Sequence, residues 1–508
     1  MQTSPDISPR RRPLNRIRQN LVSLTLSQLS TLLLAVFTVA IVPKYLGPES
    51  YGAFVAAGAY LMFFTLAASL GSGTFLLKNL SREPSELGRY TFNAISMKVA
   101  LSVALMGIAI GTSIFLRYPS ETQVLIAVCS IGILFNALID VCAAGLQASG
   151  RITRVAVWAA IQRYVGGLIG IALVVTHHGV VEYALVVTCS SGITVVAYLW
   201  GLWPDVRAHC QVEIRLWRSI ATGGLPYFSW SVIFVIYGSI DILLLQRLTD
   251  TATVGWYNLA YLWIGIPVFF PFVLGTSIMP SLSALALQDH TSFTNTVNKA
   301  LKLSVFVGTP MAIGIALISA DIIRLFRYPP SYANAIPLMR ILSMHIPIVG
   351  IDMILATALI AKDRQKAWVM VGCVAAVFNP AVNLFAIPAT RHAYSNGAIG
   401  ASIVTVATEL LMMVGAIWLR PSGVLDRHTS LFMGRTLLAA LLMVPAVLML
   451  GGAPLALKVL VGAATFGFGA LVLRLVTISD CRMGVGQIRR FLSSRKFRPE
   501  IATGMGSP

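Results

Sequence analysis

The chain has 508 residues, of which 56% are hydrophobic and only 11% charged, with 38 Lys and Arg against 19 Asp and Glu. A soluble domain carries charge at about a quarter of its positions, so this composition specifies a polytopic membrane protein, and long apolar runs specify helices where a strand-built barrel would show short alternating segments. The net charge of +19 does not point to nucleic acid: cytoplasmic loops collect Lys and Arg, and no zinc-finger, helicase or single-strand-binding pattern accompanies it.

In chain order, residues 1–20 form a basic tail with Arg10, Arg11, Arg12, Arg16 and Arg18. Leu21 to Pro43 follows without a charge. A bilayer core of about 30 Å needs roughly 20 apolar residues at 1.5 Å each, so this stretch spans; it is too long for a signal sequence, and more spans follow. Further spans are predicted at 53–77, 91–116, 122–148, 155–176, 180–203, 219–246, 255–287, 300–327, 333–361, 367–388, 397–419, 432–451 and 454–478, which makes fourteen. With the N-terminus inside, the loop Lys and Arg fall mostly on the cytoplasmic side, so the positive-inside rule places both termini in the cytoplasm.

An internal repeat divides the chain. PKYLGPESYGAFVAAGAYLMF from Pro43 aligns with LQRLTDTATVGWYNLAYLWIG from Leu245, placing Lys44 on Arg247, Gly52 on Gly255 and Ala57 on Ala260. A weaker echo links LQASGRITRVAVW at Leu146 with LIAKDRQKAWVMV at Leu359. The matching helices are six spans apart, an even number, which gives parallel repeats and a layout suited to alternating access. The expected organisation is a six-helix lobe at 21–203, a cytoplasmic linker at 204–218, a second six-helix lobe at 219–420, two additional helices at 421–478 and a basic tail at 479–508. No loop is large enough to be a domain, so any site lies among the helices.

Charges inside the bilayer are costly and normally face a bundle interior or a wet cavity. Lys98, Arg163 and Arg340 are the cations placed to meet a phosphate-bearing substrate, since the guanidinium fork fits phosphate oxygens and an ammonium acts as a mobile point charge. The blander reading is that each is paired with a carboxylate for packing. Asp241, Asp352 and Glu409 are candidates for proton or sodium coupling, against the alternative of structural counter-charges. Asn93, Asn136 and Asn383 read as helix–helix hydrogen bonders, and Arg474 and Lys458 as snorkelling or peripheral cations. Pro267, Pro271 and Pro280 interrupt the eighth span and could hinge it. The six cysteines lie far apart and read as small buried hydrophobes, and the histidines are scattered. No P-loop, nucleophile–base constellation, metal motif or cofactor motif occurs, so neither an ATPase nor an enzyme is expected.

The stretch QLSTLLLAVFTVAIVPKYLGPESYGAFVAAGAYLMFFTLAASLGSGTFLLKNLSR resembles the start of the bacterial polysaccharide flippases, the O-antigen and exopolysaccharide transporters of the multidrug/oligosaccharidyl-lipid/polysaccharide exporter superfamily. Leu46, Gly47, Tyr51, Gly52 and Gly71 carry the match; Val254, Gly255, Tyr257, Ala260 and Pro280 resemble the family's eighth span, and Leu146, Gln147, Gly150 and Arg151 its turn after the fourth. The resemblance covers roughly residues 18–420 and fades over the last two spans. It implies two six-helix lobes around a central cationic cavity, with two further spans alongside. The implied activity is transfer of undecaprenyl-pyrophosphate-linked oligosaccharide repeat units from the inner to the outer leaflet of the bacterial inner membrane. Arg163, Arg340 and Lys98 would then meet the pyrophosphate. The implied partners are membrane lipids and a glycosyltransferase, polysaccharide polymerase or ligase; one chain suffices to build the cavity, so a monomeric transporting unit is expected.

Three rivals stay open at this level. A lipid-linked peptidoglycan-precursor flippase shares the fold and the fourteen spans. A multidrug/cation antiporter shares the fold with twelve spans and favours an acidic site. A membrane glycan polymerase or ligase needs a large outer loop that this sequence lacks.

Overall fold

A computed structural model describes residues 11–476; the rest of both tails and Cys481 lie outside the described residues. The described chain is helical throughout: α1 (Arg11–Ser69), α2 (Ser72–Arg82), α3 (Leu87–Phe115), α4 (Ser120–Ala148), α5 (Ile152–Val175), α6 (Val180–Val206), α7 (Ile214–Leu248), α8 (Thr251–Gln288), α9 (His290–Leu325), α10 (Ala335–Ser343), α11 (His345–Ala361), α12 (Gln365–Tyr394), α13 (Ala398–Leu419), α14 (Arg427–Leu441), α15 (Met443–Leu448) and α16 (Leu455–Val472). Thirteen stretches are long and apolar enough to cross a membrane. The first of them is double, because α1 bends at Gly47, where φ is 76° and a side chain would be strained. Its arms of residues 11–46 and 48–69 reach about 54 and 33 Å at 1.5 Å per residue, so each can span, and fourteen crossings result.

Three expected spans prove to be broken helices. The second turns a corner at Leu70 and Gly71, both left-handed, between α1 and α2. The tenth divides into α10 and α11, and the thirteenth into α14 and α15. The eighth, by contrast, is one helix from Thr251 to Gln288 despite its three prolines. Each proline removes a single hydrogen bond, and Pro267 and Pro271 are buried in packed surroundings that hold the helix together.

Helices α3 to α6 pack with α1 and α2 as a first lobe and α8 to α13 pack together as a second, joined by α1, which lies on α8 as well as on α4, and by α7, which lies between α1, α2 and α12; α14 to α16 lie against α9. The joint between lobes is short, since α6 runs to Val206 and α7 begins at Ile214. Asn93 fastens it: its amide donates to Gln211 O at 3.1 Å and accepts from Glu213 N at 2.6 Å, so it holds linker backbone rather than a second helix. Arg89 adds a bidentate pair to the Glu213 carboxylate at 2.6 and 2.7 Å. At the far edge Lys458 of α16 is not snorkelling but buried, and donates to Asp321 of α9 at 2.8 Å.

The repeat glycines meet each other. A Cβ on Gly52 would lie 1.8 Å from Thr251 O, and one on Gly255 would lie 2.2 Å from Pro48 O. The sequence equivalents therefore cross backbone to backbone between the lobes, and Tyr51 donates to Asn258 Oδ1 at 2.7 Å beside the crossing. A second close crossing lies further along the first lobe, where a Cβ on Gly71 would be 2.4 Å from Gly224 O.

Candidate functional site

The three expected phosphate-binding cations end up in different places. Lys98 is fully buried on α3, its ammonium donating to the carbonyls of Ala68 and Ser69 at the end of α1. Asp140 of α4 completes the node, accepting from Gly73 N at 3.2 Å and lying 3.5 Å from the Ser69 hydroxyl. In this conformation Lys98 serves the α1–α2 corner by satisfying carbonyls that a helix end leaves unpaired, and it presents no ammonium to a solvent-filled path. Arg163 stands at the midpoint of α5 and Arg340 on α10, one in each lobe. Both are exposed, and neither makes a hydrogen bond or ion pair with the described residues. Their helices do not pack together: α5 lies on α6, α1 and α4, and α10 on α8, α9 and α13.

The three carboxylates gather instead in the second lobe. Asp241 of α7 is buried within a cage of neutral polar groups. Its Oδ2 accepts from the Tyr257 hydroxyl of α8 at 3.0 Å and lies 3.0 Å from the Thr405 hydroxyl of α13; its Oδ1 accepts from Asn383 Nδ2 of α12 at 2.8 Å. Asn379, one turn before Asn383, accepts from the same amide at 3.0 Å and reaches Thr408 at 3.4 Å. Four helices thus converge on one carboxylate, and no Lys or Arg lines the small adjoining space, whose volume is about 20 Å³. The Asn383 carbonyl oxygen is buried without a hydrogen-bond partner. An oxygen-rich, singly acidic and ion-sized space has the chemistry to hold one monovalent cation.

Asp352 and Glu409 line a larger cavity of about 420 Å³ between α7, α8, α11, α12 and α13, which shares Tyr237 and Tyr261 with the space beside Asp241. Glu409 faces His345 at 3.8 Å, and one oxygen of Asp352 has no partner. Among the described residues no group of three or more His, Cys, Asp or Glu is arranged to hold a metal ion.

Sequence reasoning found all three acids and Asn383, but read Asn383 as a packing residue. It took Tyr257 only as part of the family resemblance, and passed over Asn379, Thr405 and His345. The usable signal was the spacing: Asn379 and Asn383 are one turn apart on an apolar helix, and Thr405, Thr408 and Glu409 share one face of another.

Residues 41–327 match the family described as polysaccharide biosynthesis protein. The chain belongs to that family. A second match, to the family described as lipid II flippase MurJ, covers residues 225–477 and so takes in the last two spans. Among solved structures, the chain is similar to a lipid II flippase MurJ in an inward closed conformation, at 16% identity over 89% of this chain and 98% of that one, with a TM-score of 0.73. It is also similar to an inward-facing multidrug resistance MATE family transporter of the MOP superfamily, at 16% identity over 79% and 96% of the two chains, with a TM-score of 0.61. The outward-facing conformation of a MATE family transporter gives 15% identity over 80% and 94%, with a TM-score of 0.50. No curated protein sequence matches the chain. Family match and helical architecture together make the chain a multi-pass membrane protein of the polysaccharide biosynthesis family, with the fold of the solved lipid II flippase and MATE family transporters.

Proposed function

We propose that this protein turns a polyprenyl-pyrophosphate-linked saccharide from the inner to the outer leaflet of a bacterial inner membrane, with both termini in the cytoplasm. The physical need is plain: a pyrophosphate cannot cross bare hydrocarbon without a polar path, because burying unpaired charge costs far more than thermal energy supplies. The observation that carries the reading is the pair Arg163 and Arg340, one on each lobe, both exposed and without a protein counter-charge among the described residues. An arginine facing lipid inside the bilayer is costly, so a polar path is the reading we give Arg163, at the midpoint of α5, and Arg340, in the last turn of α10; each offers a fork that fits phosphate oxygens. The prenyl tail would remain in lipid while the sugar crosses between the lobes.

The cargo favoured first is a lipid-linked peptidoglycan precursor, because the match to the lipid II flippase family includes the two last spans that a twelve-helix antiporter lacks. A polysaccharide repeat unit is the second reading, supported by the family match across residues 41–327. A polymerase or ligase that consumes the flipped lipid, and a monomeric transporting unit, belong to the same proposal. For coupling, the Asp241 cage takes one sodium ion, held by Asp241, Asn379, Asn383 and Thr405 oxygens.

Depleting the protein in its host separates the two cargoes. Lysis with accumulation of lipid-linked peptidoglycan precursor supports the first. Viable cells that lose a surface polysaccharide support the second, and no change in either pool contradicts the proposal.

A further inference from the structure

The two acidic sites of the second lobe differ about twenty-fold in volume, and that difference carries an assignment. The space beside Asp241 is about 20 Å³, the size of one ion or water, whereas the cavity holding Asp352 and Glu409 is about 420 Å³. No proton or alkali ion needs so much room. The cavity runs along α11 from His345 to Ile360, about 22 Å at 1.5 Å per residue. Its walls are mostly apolar, with the rings of Tyr237, Tyr261 and Trp368 among them, and no Lys or Arg lines it.

The polar groups it does contain are acidic and under-satisfied. Asp352 is 4% exposed, Glu409 3% and His345 5%. One oxygen of Asp352 and Nδ1 of His345 have no hydrogen-bond partner, and Glu409 meets His345 only at 3.8 Å. Such groups are costly to bury unless something arrives to pair with them. With no Lys or Arg in its walls the cavity offers an anionic head group no counter-charge, so this is not the place of the pyrophosphate. A hydrocarbon tail would gain nothing from two carboxylates. Carboxylates among aromatic rings in an apolar cavity of this size suit a cation with a bulky body, drawn by charge and by the ring faces.

We propose that the cavity between α7, α8, α11, α12 and α13 binds an organic cation with an apolar or aromatic body, its charge set against Asp352 and Glu409. The site adjoins the Asp241 cage across Tyr237 and Tyr261, which line both spaces, and neither Arg163 nor Arg340 lines it. It gives this lobe a ligand of its own.

The test is fluorescence anisotropy of a dimethylaminostyryl-N-methylpyridinium dye titrated with the full-length protein in neutral detergent at pH 8. The uncharged dimethylaminostyrylpyridine and protein-free micelles are the controls. The expected result is saturable binding of the cation alone, weakened at least tenfold in Asp352→Asn and in Glu409→Gln. Ala356→Phe, which keeps both acids and fills the cavity, is expected to abolish binding while circular dichroism stays unchanged. Absence of saturable binding, equal binding of the uncharged dye, or an unaltered affinity in the folded Ala356→Phe protein would overturn the assignment.

Discussion

Lys98 and Asp140 sit where a reader of the sequence looks for a substrate site, yet their contacts are to backbone at the α1–α2 corner. Lys98→Met leaves two carbonyls at a buried helix end without their donor, so a loss of about 1–3 kcal/mol is expected, read as a lower thermal midpoint in detergent. At the linker, the hydrogen bonds from Arg89 hold the Glu213 carboxyl below the usual carboxylate range. A folded-state value below the unfolded one stabilises the fold at pH above the unfolded value and is lost as pH falls through the folded value. Thermal stability should therefore decline in acid, and Glu213→Gln should remove a small part of that decline; the effect is modest because Arg89 is 43% exposed. The acids Asp241, Asp352 and Glu409 were legible because a charge in an apolar run stands out. Asn379, Thr405 and His345 were not, because a neutral polar residue acquires meaning only when it is known which helix faces meet.

At the scale of elements, the repeat was readable from a few residues, and the structure adds that Gly52 and Gly255 touch across the lobes. No spacing rule reveals such a contact, since it depends on two helices crossing far apart in sequence. Gly52→Val collides with backbone and should cost about 1–3 kcal/mol of stability together with transport, whereas Gly58→Val meets nothing within 4 Å and should be silent. Helix breaks at Leu70–Gly71 and at Met344 escaped prediction because hydropathy runs unbroken through them. The prolines misled in the opposite direction, since packing holds α8 continuous. Asp426 caps the start of α14, its carboxyl accepting from Thr429 N at 2.7 Å. Asp426→Ala should cost about 1 kcal/mol, measurable as a lower midpoint for unfolding.

For the whole molecule, the membrane class and an all-helical fold of about fourteen crossings follow from composition and from the length of the apolar runs. The acidic interior of the second lobe was hidden, because helices α7, α8, α11, α12 and α13 bring together residues far apart in sequence, from Ile233 to Met412. The two lobes meet at close glycine crossings, and the proposed function requires a path between them that opens and closes around an anion. The most direct test is leaflet transfer of a fluorescent polyprenyl-pyrophosphate disaccharide in proteoliposomes, comparing wild type with Arg163→Ala and Arg340→Ala reconstituted to equal density. The account predicts protein-dependent transfer in wild type and at least a tenfold slower rate in each variant. Absence of transfer in wild type, or equal rates in all three proteins, would contradict it.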